Sequence, residues 1–167
     1  MIGRRGLQVA IVTAMVGTIG CDRVSKHIAS EVLAGTPARS FLGDTLRLDY
    51  AENPGAFLGL GADWPPEVRG TLFVGAAIVG VFVVAGLGWR LRHVPLALVG
   101  LALFAAGSVS NLVDRVAYGS VVDFLNVGIG PLRTGIFNLA DVAILSGAAL
   151  VVAATARLDR PAPKSAA

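Results

Sequence analysis

Long apolar segments alternate with shorter polar stretches along this chain. Four apolar segments stand out, at residues 7–21, 68–89, 95–116 and 138–156, and the first continues as an amphipathic helix through Val32. A helix rises about 1.5 Å per residue, so segments of this length suit a hydrocarbon core of roughly 30 Å. The pattern predicts a mainly α membrane protein with four transmembrane helices.

The polar connection after the first helix carries a different pattern. Apolar and polar residues alternate between residues 45 and 50, which is typical of a strand, and the turn sequence "NPG" follows at residues 53–55. We therefore expect a small extracytoplasmic β-sheet within about residues 35–62, between helices 1 and 2, on the membrane surface. Residues 1–158 form one predicted four-helix transmembrane domain, and residues 159–167 form a predicted disordered cytoplasmic tail.

Composition and charge support the membrane interpretation. Of 167 residues, 54% are hydrophobic and only 15% are charged, whereas soluble domains carry roughly 25% charged residues. Basic residues concentrate at the two ends and in the loop between helices 2 and 3, namely Arg4, Arg5, Arg90, Arg92, Arg157, Arg160 and Lys164. The positive-inside rule then places both termini in the cytoplasm. The net charge of only +3 gives no indication of a nucleic-acid partner.

The start of the chain also resembles an export signal. The sequence "TIGCD", at residues 18–22, follows Arg4, Arg5 and an apolar run, which is the order found in bacterial lipoprotein signals. Either Cys21 receives lipid, or the apolar run is a retained helix. Thr18 occupies the position where a lipoprotein signal prefers leucine, so we expect a retained helix in which Cys21 is a packing residue with a free thiol.

Polar residues gather at the predicted outward ends of the helices. A charge at the centre of a membrane helix costs roughly 2.5–3.5 kcal/mol, so a group of them indicates a function. The group comes from four separate stretches and comprises Asp22, Lys26, Asn111, Asp114, Arg115, Asp123, Asn138 and Asp141. Asp22 and Lys26 form an i, i+4 pair on one helix face. Asn138 and Asp141 suit the N-cap and third position of helix 4.

Paired aspartates are the remaining candidates for acid–base chemistry, because the histidines and the cysteine show no metal-ligand spacing. Two carboxyl groups that share one proton can activate water, since mutual repulsion keeps one protonated while the other is ionised. This reasoning describes an aspartic protease at a membrane surface but does not select the pair. The candidates are Asp22, Asp114, Asp123 and Asp141. The alternatives are a small transporter or ion-conducting protein with embedded acids, and a lipoprotein or plain scaffold with a modified Cys21.

Several motifs together resemble the lipoprotein signal peptidase (signal peptidase II) family of bacterial intramembrane aspartyl proteases. They are, in chain order, "DRVSK", "NPGAF", "GSVSNLVDRVAYGSVVDF" and "FNLAD", and the resemblance covers nearly the whole chain. It implies a multi-pass enzyme of the bacterial cytoplasmic (inner) membrane with its active site at the extracytoplasmic face. The implied substrates are diacylglyceryl-modified prolipoproteins, cleaved N-terminal to the lipidated cysteine without a metal or other cofactor. Membrane lipids and globomycin-type cyclic peptide inhibitors are the other implied partners.

The same resemblance assigns roles to individual residues. It selects Asp123, in "VVDF", and Asp141, in "FNLAD", as the catalytic dyad. The supporting or substrate-binding residues that it implies are Asn53, Gly55, Asn111, Asp114, Arg115, Asn138, Asp22 and Lys26. Arg23 departs from the family, in which glutamine is common at this position, and this departure concerns substrate contacts and not the activity.

Overall fold

The computed structural model describes residues 3–56 and 60–156. Within these ranges the helices are α1 (Arg4–Leu33), α2 (Pro66–Arg90), α3 (Pro95–Tyr118) and α4 (Leu139–Ala156), and the strands are β1 (Arg39–Phe41), β2 (Leu46–Asn53), β3 (Val121–Ile129) and β4 (Leu132–Arg133). By length and composition, all four helices are able to cross a membrane. The predicted mainly helical fold with a small sheet is confirmed. The tail predicted to be disordered, residues 159–167, lies outside the described residues.

Proline and glycine set the limits of the two central helices. α2 and α3 begin at Pro66 and Pro95, where proline is well tolerated because the first N–H groups of a helix have no helical acceptor. α3 is followed by Gly119, whose φ of 78° lies in the left-handed region that glycine adopts without strain. β3 begins almost immediately after this cap, so α3 leads directly into the sheet.

α3 and α4 pack closely through glycines that face the partner helix. A Cβ atom added to Gly107 would overlap the carbonyl oxygen of Ala140, and one added to Gly147 would lie 2.5 Å from the carbonyl oxygen of Gly100. Small residues at such positions let helix backbones approach each other in a membrane. The Gly107 contact brings α3 against the first turn of α4, so Asn111, one turn further along α3, lies beside that helix start.

The sheet is antiparallel in the order β1-β2-β3-β4, and it draws on two separate connections. β1 and β2 lie between α1 and α2 as predicted, but β3 and β4 lie between α3 and α4. The prediction of a sheet between helices 1 and 2 therefore covered only two of its four strands. The beginning of β3, "VVDFL", is a continuous apolar run around one aspartate because both of its faces are largely buried. It lacks the alternation that reveals a half-exposed strand.

The pairing of β2 with β3 fixes the position of Asp123. Ala51 lies opposite Asp123, and Asn53 lies opposite Val121. Residues two apart on a strand, and residues opposite each other on neighbouring strands, point to the same face. The side chains of Asn53 and Asp123 therefore share one face of the sheet.

A small apolar core joins the sheet to the helix ends. Ala29 and Leu33 of α1 pack with Phe124 of β3. β3 starts just after α3, and its Leu125 pairs with Phe137, just before α4. The strand therefore runs across one end of the bundle and brings α1, α3 and α4 together there. The cytoplasmic location of the termini and the extracytoplasmic location of the sheet stay predictions.

Cys21 is exposed on α1 and has a free thiol. The expectation that it packs against the rest of the protein was wrong. Asp22 and Lys26 occupy the inward face of this part of α1, and Cys21 precedes Asp22 by one residue, or about 100° around the helix. Its side chain consequently lies outside the packed face.

Candidate active site

The polar residues predicted from the sequence meet at the end of the bundle that the sheet covers. Those that are buried there are Asp22, Lys26, Asn111, Asp114, Asp123, Asn138 and Asp141. Within residues 3–56 and 60–156, no fully buried side-chain nitrogen or oxygen lacks a hydrogen-bond partner. The predicted convergence is confirmed, and the individual roles stay predictions.

Two side-chain amides hold the carboxylate of Asp123. Asn138 Nδ2 donates to Asp123 Oδ1 at 2.6 Å, and Asn53 Nδ2 donates to Asp123 Oδ2 at 3.0 Å. Burial raises the pKa of Asp123 above its ordinary value, and the negative charge of Asp141 raises it further. The two amide donors act against this rise because they stabilise the ionised carboxylate.

Asp141 lies in the first turn of α4, where it completes a capping box. The backbone N–H of Asn138 donates to Asp141 Oδ2 at 3.1 Å, while Asn138 Oδ1 accepts the backbone N–H of Asp141 at 3.0 Å. The other oxygen, Oδ1, accepts Asn111 Nδ2 at 2.9 Å. The predicted N-cap is thus confirmed, and Asn138 contacts both Asp123 and Asp141.

An ionic cluster lies next to these carboxylates. It consists of the buried residues Asp22, Lys26 and Asp114 and the partly exposed Arg23. Lys26 Nζ contacts Asp22 Oδ2 and Asp114 Oδ2, both at 2.7 Å, and donates to Asn111 Oδ1 at 2.8 Å. Arg23 Nη1 contacts the second oxygen of Asp114 at 2.5 Å. Asp114 therefore belongs to the ionic cluster and makes no hydrogen bond to Asp123 or Asp141 among those of the described residues.

Asp22 also caps α4 from outside that helix. Its Oδ1 accepts the backbone N–H of Ala140 at 2.9 Å, and its Oδ2 accepts Ser110 Oγ at 2.7 Å. The sequence reasoning missed Ser110, because a serine inside a membrane helix commonly bonds only to its own backbone. It also missed the contact of Arg23, since a single arginine on a predicted helix carries no signal for its partner.

Arg115 positions the turn that follows β2. Its Nε and Nη2 donate to the carbonyl oxygen of Gly55 at 2.9 and 2.6 Å, and its guanidinium lies 4.9 Å from the ring centre of Phe73. The backbone N–H of Gly55 in turn donates to Asn53 Oδ1 at 2.9 Å. Arg115 therefore acts on Asp123 indirectly, through the turn that orients Asn53.

Two adjoining cavities lie near Asp141. The smaller, about 280 Å³, is lined in part by Asn111, Arg115 and Asp141. The larger, about 540 Å³, is an apolar groove between α2 and α3 that also ends at Arg115. Phe73 and Ser108 line both cavities. A space of this kind can admit a partly apolar ligand beside Asp141.

Two buried carboxyl groups, of Asp123 and Asp141, are bridged by one asparagine, and Asp141 lines a cavity. Such a pair suits general acid–base catalysis, and together with four membrane-length helices it fits the class of membrane aspartic peptidases. A family model described as "Signal peptidase (SPase) II" matches residues 14–157. The chain belongs to this family and is accordingly an aspartic endopeptidase.

Curated relatives and solved structures agree with this assignment. A lipoprotein signal peptidase of Syntrophomonas wolfei is 35% identical over 78% of this chain and 82% of its own length. One of Sphingopyxis alaskensis is 36% identical over 79% of this chain and 76% of its own length. A solved structure described as a bacterial membrane enzyme covers 94% of this chain and 93% of its own, with a TM-score of 0.79 and 23% identity. That structure supports the fold.

Proposed function

We propose that the protein removes signal peptides from diacylglyceryl-modified prolipoproteins, cleaving N-terminal to the lipidated cysteine, with Asp123 and Asp141 as its catalytic dyad. The observation that carries this proposal is the bridging of the two carboxylates by Asn138. Similar proteins are named lipoprotein signal peptidases. The acids gather at one end of the bundle and do not follow a path across it, which favours a peptidase over a transporter.

In the proposed mechanism the two aspartates share one proton. Burial raises the pKa of Asp123, which suits the carboxyl group that holds the proton, while the N-terminus of α4 stabilises negative charge on Asp141. The ionised carboxylate takes a proton from water as this water attacks the scissile carbonyl carbon. The protonated carboxyl group donates to the carbonyl oxygen, and the roles exchange when the leaving nitrogen is protonated.

The apolar groove beside the dyad suits the membrane-embedded part of such a substrate. It is lined by alanine, valine, glycine and phenylalanine residues of α2 and α3, and it adjoins the smaller cavity at Asp141. Each CH₂ group of the acyl chains contributes about 0.8 kcal/mol to keeping the substrate in the membrane, and close packing against the groove positions it there. A signal helix or an acyl chain in the groove would therefore hold the scissile bond near the dyad.

We also infer that the protein lies in the bacterial cytoplasmic (inner) membrane, with the dyad and the sheet at the extracytoplasmic face. Arg4, Arg90 and Arg92 lie at the bundle end away from the dyad, as the positive-inside rule requires. In a Cys21→Ser background, Ala38→Cys, at an exposed position just before β1, should react with a membrane-impermeant thiol reagent in intact spheroplasts, and Arg92→Cys should not. The reverse labelling pattern would overturn this orientation.

The dyad is tested by cleavage of a lipidated model prolipoprotein by the purified full-length protein. Asp123→Asn and Asp141→Asn should each lower the rate by about 10²- to 10⁴-fold, because each removes one acid–base group. Asp49→Asn is the matched control, since Asp49 lies on β2 and, within residues 3–56 and 60–156, its side chain accepts only the neighbouring backbone N–H of Tyr50. The mass of the product reports the cleaved bond.

The outcomes separate the parts of this proposal. Normal cleavage by Asp123→Asn or Asp141→Asn would show that the dyad assignment is wrong. Equal cleavage of the same prolipoprotein without its diacylglyceryl group would show that the lipid is not recognised. We expect the activity to be inhibited by globomycin-type cyclic peptides.

A further inference from the structure

We propose that Arg23 is a positioning residue for the dyad. Its guanidinium holds Asp114 and thereby neutralises the ionic cluster that orients Asn111 towards Asp141. The inference rests on the proposed dyad and adds a residue to which neither the family resemblance nor the mechanism gives a role.

A continuous series of contacts leads from Arg23 to Asp141. Arg23 Nη1 lies 2.5 Å from Asp114 Oδ1, and Lys26 Nζ lies 2.7 Å from Asp114 Oδ2. Lys26 also donates to Asn111 Oδ1 at 2.8 Å, and Asn111 Nδ2 donates to Asp141 Oδ1 at 2.9 Å. Because an amide has one oxygen and one NH₂ group, fixing the oxygen on Lys26 turns the NH₂ group towards Asp141.

Arg23 also balances the charge of the ionic cluster. Asp22, Lys26 and Asp114 are buried and together carry a charge of −1, which the cation of Arg23 brings to zero. The side chain of Arg23 is 35% exposed, so it reaches the cluster from the surface of the bundle. An uncompensated charge in a poorly hydrated site is costly, so loss of Arg23 should disturb this arrangement more than loss of a surface cation.

Loss of Arg23 should therefore be visible in the pH dependence of catalysis. The charged groups around Asp141 are Asp22 and Lys26 from α1, Asp114 and Arg115 from α3, and Asp123 from β3. Without Arg23, the ionic cluster keeps a net charge of −1, and the site binds protons more readily. At an effective dielectric constant of about 20, a unit charge about 10 Å away moves an ionisation by roughly 1 pH unit. Solvent around the partly exposed Arg23 reduces this effect, so the acid limb of the activity profile should move upward by roughly 0.5–1 pH unit.

The experiment compares kcat and KM across pH for the wild-type protein, Arg23→Gln and Arg23→Lys, using the lipidated model prolipoprotein. Arg23→Gln should move the acid limb of kcat upward by roughly 0.5–1 pH unit with KM unchanged, whereas Arg23→Lys should keep the wild-type limb. Arg69→Gln is the matched control, because Arg69 lies at the same end of the bundle and donates to the carbonyl oxygen of Ala62. It should leave the limb in place.

The double variant Arg23→Gln/Asp114→Asn distinguishes charge balance from a merely structural contact. It removes one charge of each sign, so the acid limb should return towards that of the wild type. If Arg23→Gln does not fold, the proposal is tested with this double variant. An unchanged limb in Arg23→Gln, or an equally shifted limb in the double variant, would overturn the proposal. Activity retained by Asp123→Asn would instead overturn the dyad itself, so the two failures are distinguishable.

Discussion

Asn138 combines two roles that substitution can separate. Its Oδ1 caps α4 by accepting the backbone N–H of Asp141 at 3.0 Å, and its Nδ2 donates to Asp123 at 2.6 Å. Serine retains a capping oxygen but cannot place a donor at the far end of the asparagine side chain. Alanine removes both. Asn138→Ser should therefore lose activity and keep the cap, whereas Asn138→Ala should lose both.

The contacts of Asn138 allow the expected losses of stability and of kcat/KM to be estimated. Loss of an N-cap costs about 1 kcal/mol of stability, so Asn138→Ala should unfold more easily than Asn138→Ser by about that amount. A hydrogen bond to a charged group contributes about 1.5–3 kcal/mol. If Asn138 makes this bond to Asp123 in the transition state, both variants should lower kcat/KM by about tenfold to a hundredfold.

Thermal unfolding in detergent and cleavage of a lipidated model prolipoprotein measure the two effects. Asn126→Ser is the control, because Asn126 is also buried and donates to the carbonyl oxygen of Thr134, away from the dyad. It should lower stability and retain activity. Wild-type kcat/KM in Asn138→Ser would refute the donor role, and equal stability of Asn138→Ser and Asn138→Ala would refute the capping role.

Three further predictions follow from other parts of the site. Arg115→Lys should lower kcat/KM about tenfold or more in the same assay, because an ammonium group cannot reproduce the paired contact with Gly55; unchanged kinetics would contradict this. Ile129→Ser combined with Leu132→Ser should reduce activity in liposomes but not in detergent, if these exposed side chains contact the membrane surface; equal losses in both would argue against that contact. Because the pKa of Asp123 is raised on folding, the folded chain binds its proton more tightly than the unfolded chain. The stabilisation that protonated Asp123 contributes to the folded chain is therefore fully present below about pH 4. It is lost as the pH rises through the folded-state pKa of Asp123. Asp123→Ala should flatten this part of the curve of Tm against pH, and an equal slope in both proteins would contradict the assignment.

Local sequence signals predicted the helices and part of the sheet. Membrane-length apolar runs, together with Pro66 and Pro95, define α2 and α3 because hydrophobicity and proline act within a few residues. β3 escaped prediction, since Val121 and Phe124 are buried and their neighbours give no alternation. Its partner, β2, lies on a different connection, so only tertiary structure reveals the pairing.

The candidate site was predictable as a set of residues but not as a network. Asp22 and Lys26 were recognisable because both lie on one helix face. The contacts of Asn111 with Lys26 and Asp141 join three helices, and no spacing along the chain encodes them. Gly55 contributes to the site through its backbone carbonyl oxygen, which accepts hydrogen bonds from Arg115. Every residue type has this carbonyl group, so the sequence does not reveal its role.

Neutral amides contact Asp123 and Asp141, whereas the cations of the ionic cluster contact other acids, and this division has a physical reason. Among the described residues, the donors that contact the carboxylates of Asp123 and Asp141 are neutral: the side-chain amides of Asn53, Asn111 and Asn138, and the backbone N–H of Asn138. A lysine or arginine in direct contact would favour ionisation of both carboxyl groups and leave no proton for the carbonyl oxygen. Neutral amides fix the carboxyl groups in place with a weaker bias between their protonation states. Lys26 makes its hydrogen bond to Asn111, and its charge reaches the two aspartates only over a longer distance. In the proposed mechanism, this arrangement combines a rigid geometry with a proton that the two carboxyl groups share.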